Sequence, residues 1–125
     1  MARILIAEDE EALGAMCARA LAIDGHEVET ARDGSEALDV LAREQGRFDL
    51  LLADVRMPIM DGIALSLAAA RDFPDLTVLL MTGYADQRER AQGLDALVHD
   101  VIAKPFSLAA LRGAVKEALT VKARG

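Results

Sequence analysis

Short apolar runs alternate with longer amphipathic stretches along this chain, and that alternation is its main organising pattern. The apolar runs have the length of β-strands and end at polar or turn-forming residues. They predict strands at Arg3–Ala7, His26–Thr30, Asp49–Ala53, Thr77–Met81 and His99–Ala103. The amphipathic stretches repeat their apolar residues at helical spacing, and they predict helices at Glu11–Asp24, Ser35–Glu44, Gly62–Phe73, Asp86–Leu94 and Ser107–Val121.

A series of five strand–helix units predicts a doubly wound α/β fold. Because each crossover between parallel strands is right-handed, the helices must cover both faces of a parallel sheet. The runs DLLLA and TVLLM are apolar throughout, as strands buried on both faces are, whereas HEVET alternates like an edge strand. Turn and capping residues support the division, since Asp33-Gly34, Asp61-Gly62 and Ser107 each precede a predicted helix.

The length of 125 residues suits one domain that buries its core without disulfides. We expect a single domain over 1–125, with its core at about 3–119 and a short C-terminal tail at 120–125. The tail leaves no room for an effector domain, so the sequence predicts a stand-alone module.

Charge and cysteine usage narrow the classes of partner and the compartment. The 14 Lys and Arg against 21 Asp and Glu give a net charge of -7, which argues against direct nucleic-acid binding. The single cysteine, Cys17, excludes a disulfide framework and favours a reduced, cytoplasmic setting. The start MARILIAEDEE is neither a signal peptide nor an anchor, and the apolar runs are too short to span a bilayer, so no membrane insertion is expected.

The candidate chemistry lies directly after the predicted strands. Ligands of doubly wound sheets bind outside the carboxyl ends of the strands, near the point where the strand order reverses. The residues at those ends are Glu8 and Asp9, Asp54, Thr82, and Lys104 with Pro105.

Three carboxylates meeting in one crevice predict a bound cation. Each pair repels by roughly 4 kcal/mol at about 4 Å with an effective dielectric near 20. Oxygen donors without nearby His or Cys favour a hard cation, and a site that also supplies waters and expects a phosphoryl group favours Mg²⁺ over Ca²⁺. Lys104 adds a fixed positive charge and Thr82 a hydroxyl donor, so Asp54 is placed to attack phosphorus and form an acyl phosphate.

Four motifs, in this order and spacing, resemble the receiver domain of two-component response regulators: IAEDE, LLADVRMPIMDG, LLMTGYAD and VIAKPFS. The resemblance covers Arg3 to about Leu119. It implies the flavodoxin-like (βα)5 receiver fold with strand order 2-1-3-4-5, and phosphorylation of Asp54 by a sensor histidine kinase or a histidine phosphotransferase.

The same resemblance implies a role for each residue at the strand ends. Magnesium would be held by Asp9, Asp54 and the backbone carbonyl of Arg56, with Glu8 acting through water. Thr82 and Lys104 would read the phosphoryl group, and a cis peptide bond would join Lys104 to Pro105.

Three positions depart from the usual receiver pattern or tune it. Many receivers carry an aromatic residue where this chain has Val101, so a tyrosine rotamer at that position does not read the signal. Arg56 and Tyr84 occupy two positions that tune dephosphorylation in the family. Both side chains are large enough to obstruct water, which predicts a long-lived phosphoryl group.

The function expected from the resemblance is a switchable protein-binding surface rather than an enzyme, because its only catalysis is its own phosphorylation and dephosphorylation. The sequences of these motifs are most similar to those of single-domain receivers that act as adaptors for an ATP-dependent AAA+ protease in cell-cycle proteolysis. The expected downstream partners are therefore such a protease or its substrates. Two alternatives remain. A haloacid-dehalogenase-type phosphatase would need a second acid where Arg56 stands, and a phosphorylation-independent interaction module would not need the acidic set.

Overall fold

The computed structural model describes residues 2–83, 93 and 96–124, and its centre is a parallel β-sheet. The strands within these residues are β1 (Arg3–Ala7), β2 (Glu27–Ala31), β3 (Leu50–Asp54), β4 (Thr77–Thr82) and β5 (Asp100–Ala103). They lie in the order β2-β1-β3-β4-β5, and every neighbouring pair is parallel. The predicted doubly wound sheet and its strand order are therefore confirmed.

Helices connect the strands and cover both faces of the sheet. Those in the described residues are α1 (Glu11–Ile23), α2 (Gly34–Arg43), α3 (Gly62–Asp72) and α4 (Leu108–Arg124). The helix predicted over Asp86–Leu94 lies, apart from position 93, outside the described residues. In the part of the chain that the structure describes, no helix has both the length and the apolar character needed to cross a membrane.

The helix starts follow the capping residues that the sequence predicts. The Asp33 carboxylate accepts a hydrogen bond from the Glu36 N–H at 2.8 Å, and the Asp61 carboxylate accepts one from the Ala64 N–H at 2.8 Å. The Ser107 hydroxyl accepts one from the Ala110 N–H at 3.0 Å. Each bond satisfies a backbone donor that has no partner within the helix.

The core consists of two layers separated by the sheet. Side chains alternate along each strand, so Leu51 and Ala53 of β3 face α2 and α3, whereas Leu50 and Leu52 face α1 and α4. Cys17 on α1 is fully buried in the second layer, as expected of a core residue. Leu111 and Val115 of α4 also pack there, which assigns both to the core.

Candidate functional site

The candidate site lies at the carboxyl ends of β1 and β3, where the strand order reverses. These strands are neighbours, with Ala7 opposite Ala53, so the residues that follow them lie side by side. Glu8 and Asp9 follow β1, and Asp54 is the last residue of β3. Thr82 ends β4 and Lys104 follows β5, so all the strand-end residues predicted from the sequence are at this edge.

Strand alternation explains which of these side chains meet. Ile6 of β1, Leu52 of β3 and Ile102 of β5 pack on the α1/α4 side of the sheet. Two positions further along each chain come Glu8, Asp54 and Lys104. Because side chains repeat every second residue, all three side chains are on the same face.

The Lys104 ammonium lies between two carboxylates. Its Nζ is 2.6 Å from Asp54 Oδ2 and 2.9 Å from Glu8 Oε1. The other Asp54 oxygen, Oδ1, accepts a hydrogen bond from the Arg56 N–H at 3.1 Å, and Glu8 Oε2 accepts one from the Glu10 N–H at 3.0 Å. Both carboxylates therefore have a backbone and a charged partner, which fixes their orientation.

Burial shifts the protonation of this cluster. Glu8 is 4% exposed and Asp54 is 5% exposed. Loss of solvent raises the pKa of Glu8 to about 7, although hydrogen bonds from Glu10 and Lys104 act in the opposite direction. Burial also opposes the charged form of Lys104, but its hydrogen bonds to Asp54 and Glu8 outweigh that effect and leave its pKa above the usual value.

The acidic cluster fits a hard divalent cation. Carboxylate oxygens of Glu8, Asp9 and Asp54 all lie within 4.8 Å of one another, and Asp9 is exposed to solvent. When all three carboxylates are ionised, the Lys104 ammonium leaves two negative charges uncompensated, which a divalent ion matches. Oxygen donors on the rim of an open cavity suit Mg²⁺, which keeps several of its waters. The Arg56 carbonyl as a further ligand stays a prediction.

The Thr82 hydroxyl is buried and has no hydrogen-bond partner. Among the described residues, it is the one buried side-chain oxygen or nitrogen atom of which this is true. The residue is 1% exposed and follows Val78 and Leu80, which face α2 and α3, so its side chain lies on the other face of the sheet from Lys104. A buried hydroxyl without a partner costs about 1–3 kcal/mol. An acceptor arriving at this edge of the sheet would relieve that cost.

An open cavity of about 740 Å³ gives access to the cluster. Six residues of its lining were predicted from the sequence: Glu8, Asp9, Asp54, Arg56, Lys104 and Pro105. The apolar side chains of Leu13, Met16 and Phe106 were not predicted as part of the site. Met16 is 49% exposed, and the sequence alone does not show that exposure because it depends on how α1 packs against the sheet.

A larger groove of about 1000 Å³ lies at the amino ends of the strands, opposite the candidate site, and contains none of the candidate site residues. Its walls include the ion pair of Asp24 with Arg112 and that of Asp49 with Lys122, so much of its charge is already neutralised.

The remaining predicted positions fall in different surroundings. Val101 lies in β5 opposite Leu80 and packs against the layer of α2 and α3. The peptide bond between Lys104 and Pro105 is cis, as the resemblance implied. Arg56 is exposed beside the cluster, whereas Tyr84 lies outside the described residues. A long phosphoryl lifetime due to these two side chains stays a prediction.

Fold and site together define an α/β domain with an acidic crevice, partly neutralised by a lysine, at the switch point of its sheet. The family model of the response regulator receiver domain matches residues 4–116. The chain therefore belongs to the receiver family of two-component signalling. Members of this family are phosphorylated by histidine kinases or phosphotransferases and bind magnesium through an acidic pocket.

Curated relatives agree with this assignment and are longer than the chain. The response regulator MprA of Mycobacterium avium (strain 104) is 40% identical over 106 residues, which cover 85% of this chain and 46% of that protein. MprA of Mycobacterium leprae (strain TN) is 38% identical over 117 residues, which cover 94% and 50%. The chain thus spans about half the length of these relatives, and they give no support to the proteolysis-adaptor subtype.

Solved structures extend the likeness to the whole fold. A CheY-like receiver domain protein from Methanospirillum hungatei JF-1 is 31% identical with a TM-score of 0.90, covering 99% of this chain and 98% of that one. The response regulator TrrA from Thermotoga maritima, solved in complex with Mg(2+)-BeF, is 27% identical with a TM-score of 0.82, covering 94% and 99%.

Proposed function

We propose that Asp54 accepts a phosphoryl group from the phosphohistidine of a sensor histidine kinase or a histidine phosphotransferase. The observation that carries this proposal is the setting of the Asp54 carboxylate. It ends a buried strand, is 5% exposed, and has each oxygen fixed, by Lys104 Nζ at 2.6 Å and by the Arg56 N–H at 3.1 Å. Two further carboxylates lie within 4.8 Å.

The chemical step is a displacement at phosphorus. An Asp54 oxygen attacks the phosphorus atom, a P–O bond forms, and the imidazole nitrogen leaves with the electron pair of the broken P–N bond. Glu8, Asp9 and Asp54 would hold a Mg²⁺ ion, whose charge would stabilise the transferring phosphoryl group. The Arg56 N–H holds one Asp54 oxygen in place, and Lys104 transfers a hydrogen bond from the carboxylate to the phosphoryl group.

The phosphoryl group then acts as a switch. It adds a charge of about -1.5 to -2 and strong acceptor oxygens. Thr82 supplies a buried hydroxyl without a partner in the described residues, so a new hydrogen bond to a phosphoryl oxygen has no competitor there. We propose that this bond biases the segment 83–92, of which Gly83 is the one described residue, and changes the binding surface beside β5 and α4.

Chemical phosphorylation tests the assignment of Asp54. Wild-type protein incubated with acetyl phosphate and magnesium chloride should gain one phosphoryl group by intact mass, and Asp54→Asn should gain none. Asp72→Asn is the matched control, since Asp72 is paired with Arg71 at the end of α3, away from the site. Labelling of Asp54→Asn, or none of wild type, would contradict the proposal.

We further propose that the chain is not a turnover enzyme. A phosphatase of the haloacid-dehalogenase type would carry an acid at position 56, where this chain has an exposed arginine. Steady release of phosphate from p-nitrophenyl phosphate, beyond one equivalent of protein, would contradict this view. An interaction module that works without phosphorylation would bind its partners equally before and after acetyl phosphate treatment.

The downstream partner is a separate hypothesis. We propose that the chain acts as a stand-alone cytoplasmic adaptor for an AAA+ protease. The support is limited to the sequence: the short N-terminal tract, the motifs LLADVRMP and TGYAD, and Val101. Affinity capture with wild-type and Asp54→Ala baits tests it, because the adaptor hypothesis requires the protease or its substrates to be captured in one of the two states. Capture of neither would remove the hypothesis.

A further inference from the structure

The loop between β3 and α3, residues 55–61, packs closely against two glycines. A side chain at either glycine would displace it. Gly34 is the first residue of α2 and Gly62 is the first residue of α3. Asp54 precedes this loop and Arg56 lies within it. The shape of the loop therefore sets the position of two residues of the proposed site.

At the α3 end, Gly62 packs against the main chain of Asp54. A Cβ atom on Gly62 would lie 2.3 Å from the Asp54 carbonyl oxygen and 3.0 Å from the Val55 Cα. The Gly62 N–H also donates a hydrogen bond to the Val55 carbonyl at 2.9 Å. The end of β3 and the start of α3 are thus in direct backbone contact.

At the other end, Gly34 packs against Met60. A Cβ atom on Gly34 would lie 2.5 Å from the Met60 carbonyl oxygen and 2.8 Å from its Cγ. The Gly34 N–H donates a hydrogen bond to that same carbonyl at 3.0 Å. Carbon and oxygen atoms do not approach as closely as 2.5 Å without bonding, so an added methyl group would push the carbonyl away by about half an ångström or more.

Space, rather than backbone conformation, explains the glycine at position 34. The described glycines with positive φ are Gly25 and Gly46, so the backbone of Gly34 suits any residue. Alanine is also the better helix former by about 1 kcal/mol. Local preferences alone would therefore favour alanine at the start of α2.

The loop has little freedom to absorb a displacement at Met60. Val55 is 1% exposed and Met57 is 8% exposed, and both belong to the core beneath α2 and α3. The Met60 N–H donates to the Pro58 carbonyl at 2.7 Å, which tightens the turn. Arg56 lies between these two buried residues, so its main chain moves together with them when the loop shifts as one body.

We propose that Gly34 is a positioning residue for the candidate metal and phosphoryl site. By leaving room for the Met60 carbonyl, it lets α2 hold the 55–61 loop, and with it the Arg56 main chain, against the Asp54 carboxylate. This inference rests on the proposed function, because it concerns the same site. It places one determinant of that site on a helix that contributes no side chain to the acidic cluster.

Substitution by alanine tests the inference. Gly34→Ala should raise the magnesium concentration for half-maximal formation of a beryllofluoride adduct by about tenfold, because the loop no longer sits correctly over the cluster. At saturating magnesium the extent of adduct should return to the wild-type value. Gly113→Ala is the matched control, since a Cβ at Gly113 in α4 meets nothing within 4 Å; its magnesium dependence should equal that of wild type.

The outcomes separate this inference from the proposed function. A wild-type protein that forms no adduct and binds no magnesium in calorimetry with magnesium chloride alone overturns the proposed function, and the inference with it. A wild type that forms the adduct, beside a Gly34→Ala protein with unchanged magnesium dependence, overturns the Gly34 inference only.

A measurement on the wild type covers the case in which Gly34→Ala does not fold. Magnesium chloride should slow hydrogen exchange at the Gly34 amide severalfold, because that amide donates to the loop that the ion orders. The Glu36 amide in the same helix turn donates to Asp33 instead and should exchange at an unchanged rate. Equal behaviour of the two amides would overturn the inference.

Discussion

In the metal-free protein, the charged form of Glu8 is destabilised by its surroundings. Its carboxylate is almost fully buried and shares one ammonium, that of Lys104, with Asp54. One positive charge does not compensate two carboxylates in a poorly solvated place, so the charged form of Glu8 is held at a cost. That cost makes the stability of the metal-free protein depend on pH.

We expect the free energy of unfolding of the metal-free protein to decrease as the pH rises from about 4.5 to about 7. The pKa of Glu8 is raised from 4.5 to about 7, so within that window the folded protein binds more protons than the unfolded chain. The contribution is on the order of 1–3 kcal/mol and is fully lost above the raised pKa. Urea denaturation in EDTA at a series of pH values measures it.

Glu8→Gln should abolish most of this pH dependence, because a neutral amide replaces the titrating carboxyl. Glu11→Gln is the control, since Glu11 is an exposed glutamate in the first turn of α1. It should keep the wild-type profile. A Glu8→Gln protein with an unchanged slope would show that other groups cause the dependence.

At the scale of elements, the loop between β3 and α3 combines firm anchors with one unfavourable conformation. Ile59 has a φ of 69° and is 84% exposed. A β-branched residue in the left-handed region is strained, by about 1–2 kcal/mol relative to glycine. Little is gained in return from burial, so the position is open to improvement.

Ile59→Gly should therefore leave the protein as stable as wild type or up to about 1 kcal/mol more stable, the relief of strain being partly offset by the entropy of glycine. Thermal unfolding measures the change. Ile23→Gly is the matched control: Ile23 is 75% exposed but ends α1, so its replacement should cost about 0.5–1 kcal/mol. Equal losses for the two variants would contradict the strain.

The sequence was sufficient for these elements because their signals are local. The alternation of apolar runs located every described strand to within about a residue, and the capping residues Asp33, Asp61 and Ser107 marked the helix starts. Strand ends likewise identified the acidic cluster and Lys104.

The direct hydrogen bond between Glu8 and Lys104 and the proposed role of Gly34 were not predictable in this way, since each depends on residues that are close only after folding. In the sequence Gly34 reads as an ordinary turn glycine, and its contact with Met60 leaves no local pattern.

At the scale of the whole molecule, the chain is negatively charged and three of its carboxylates meet at the carboxyl ends of the strands. The chain has a net charge of -7, and Lys104 forms ion pairs with Glu8 and Asp54 of the acidic cluster. Repulsion within the cluster opposes folding in the absence of a cation.

Magnesium should therefore raise the midpoint of thermal unfolding more than sodium chloride of equal ionic strength. A ligand present at one hundred times its dissociation constant adds about 2.7 kcal/mol to stability, which corresponds to several degrees or more for a domain of this size. Asp9→Asn should reduce the effect, because it removes the exposed carboxylate of the cluster. Equal shifts with both salts would indicate screening alone.

The two layers of the core give the alternation of side chains a further meaning. Asp54 and Lys104 project on the side of α1 and α4, and Thr82 projects on the side of α2 and α3. A group attached to Asp54 that also reaches Thr82 would bridge the rim of the sheet and report to both helical layers at once. Phosphorylation on the α1/α4 side of the sheet then needs to act across the thickness of only one sheet to affect the α2/α3 side.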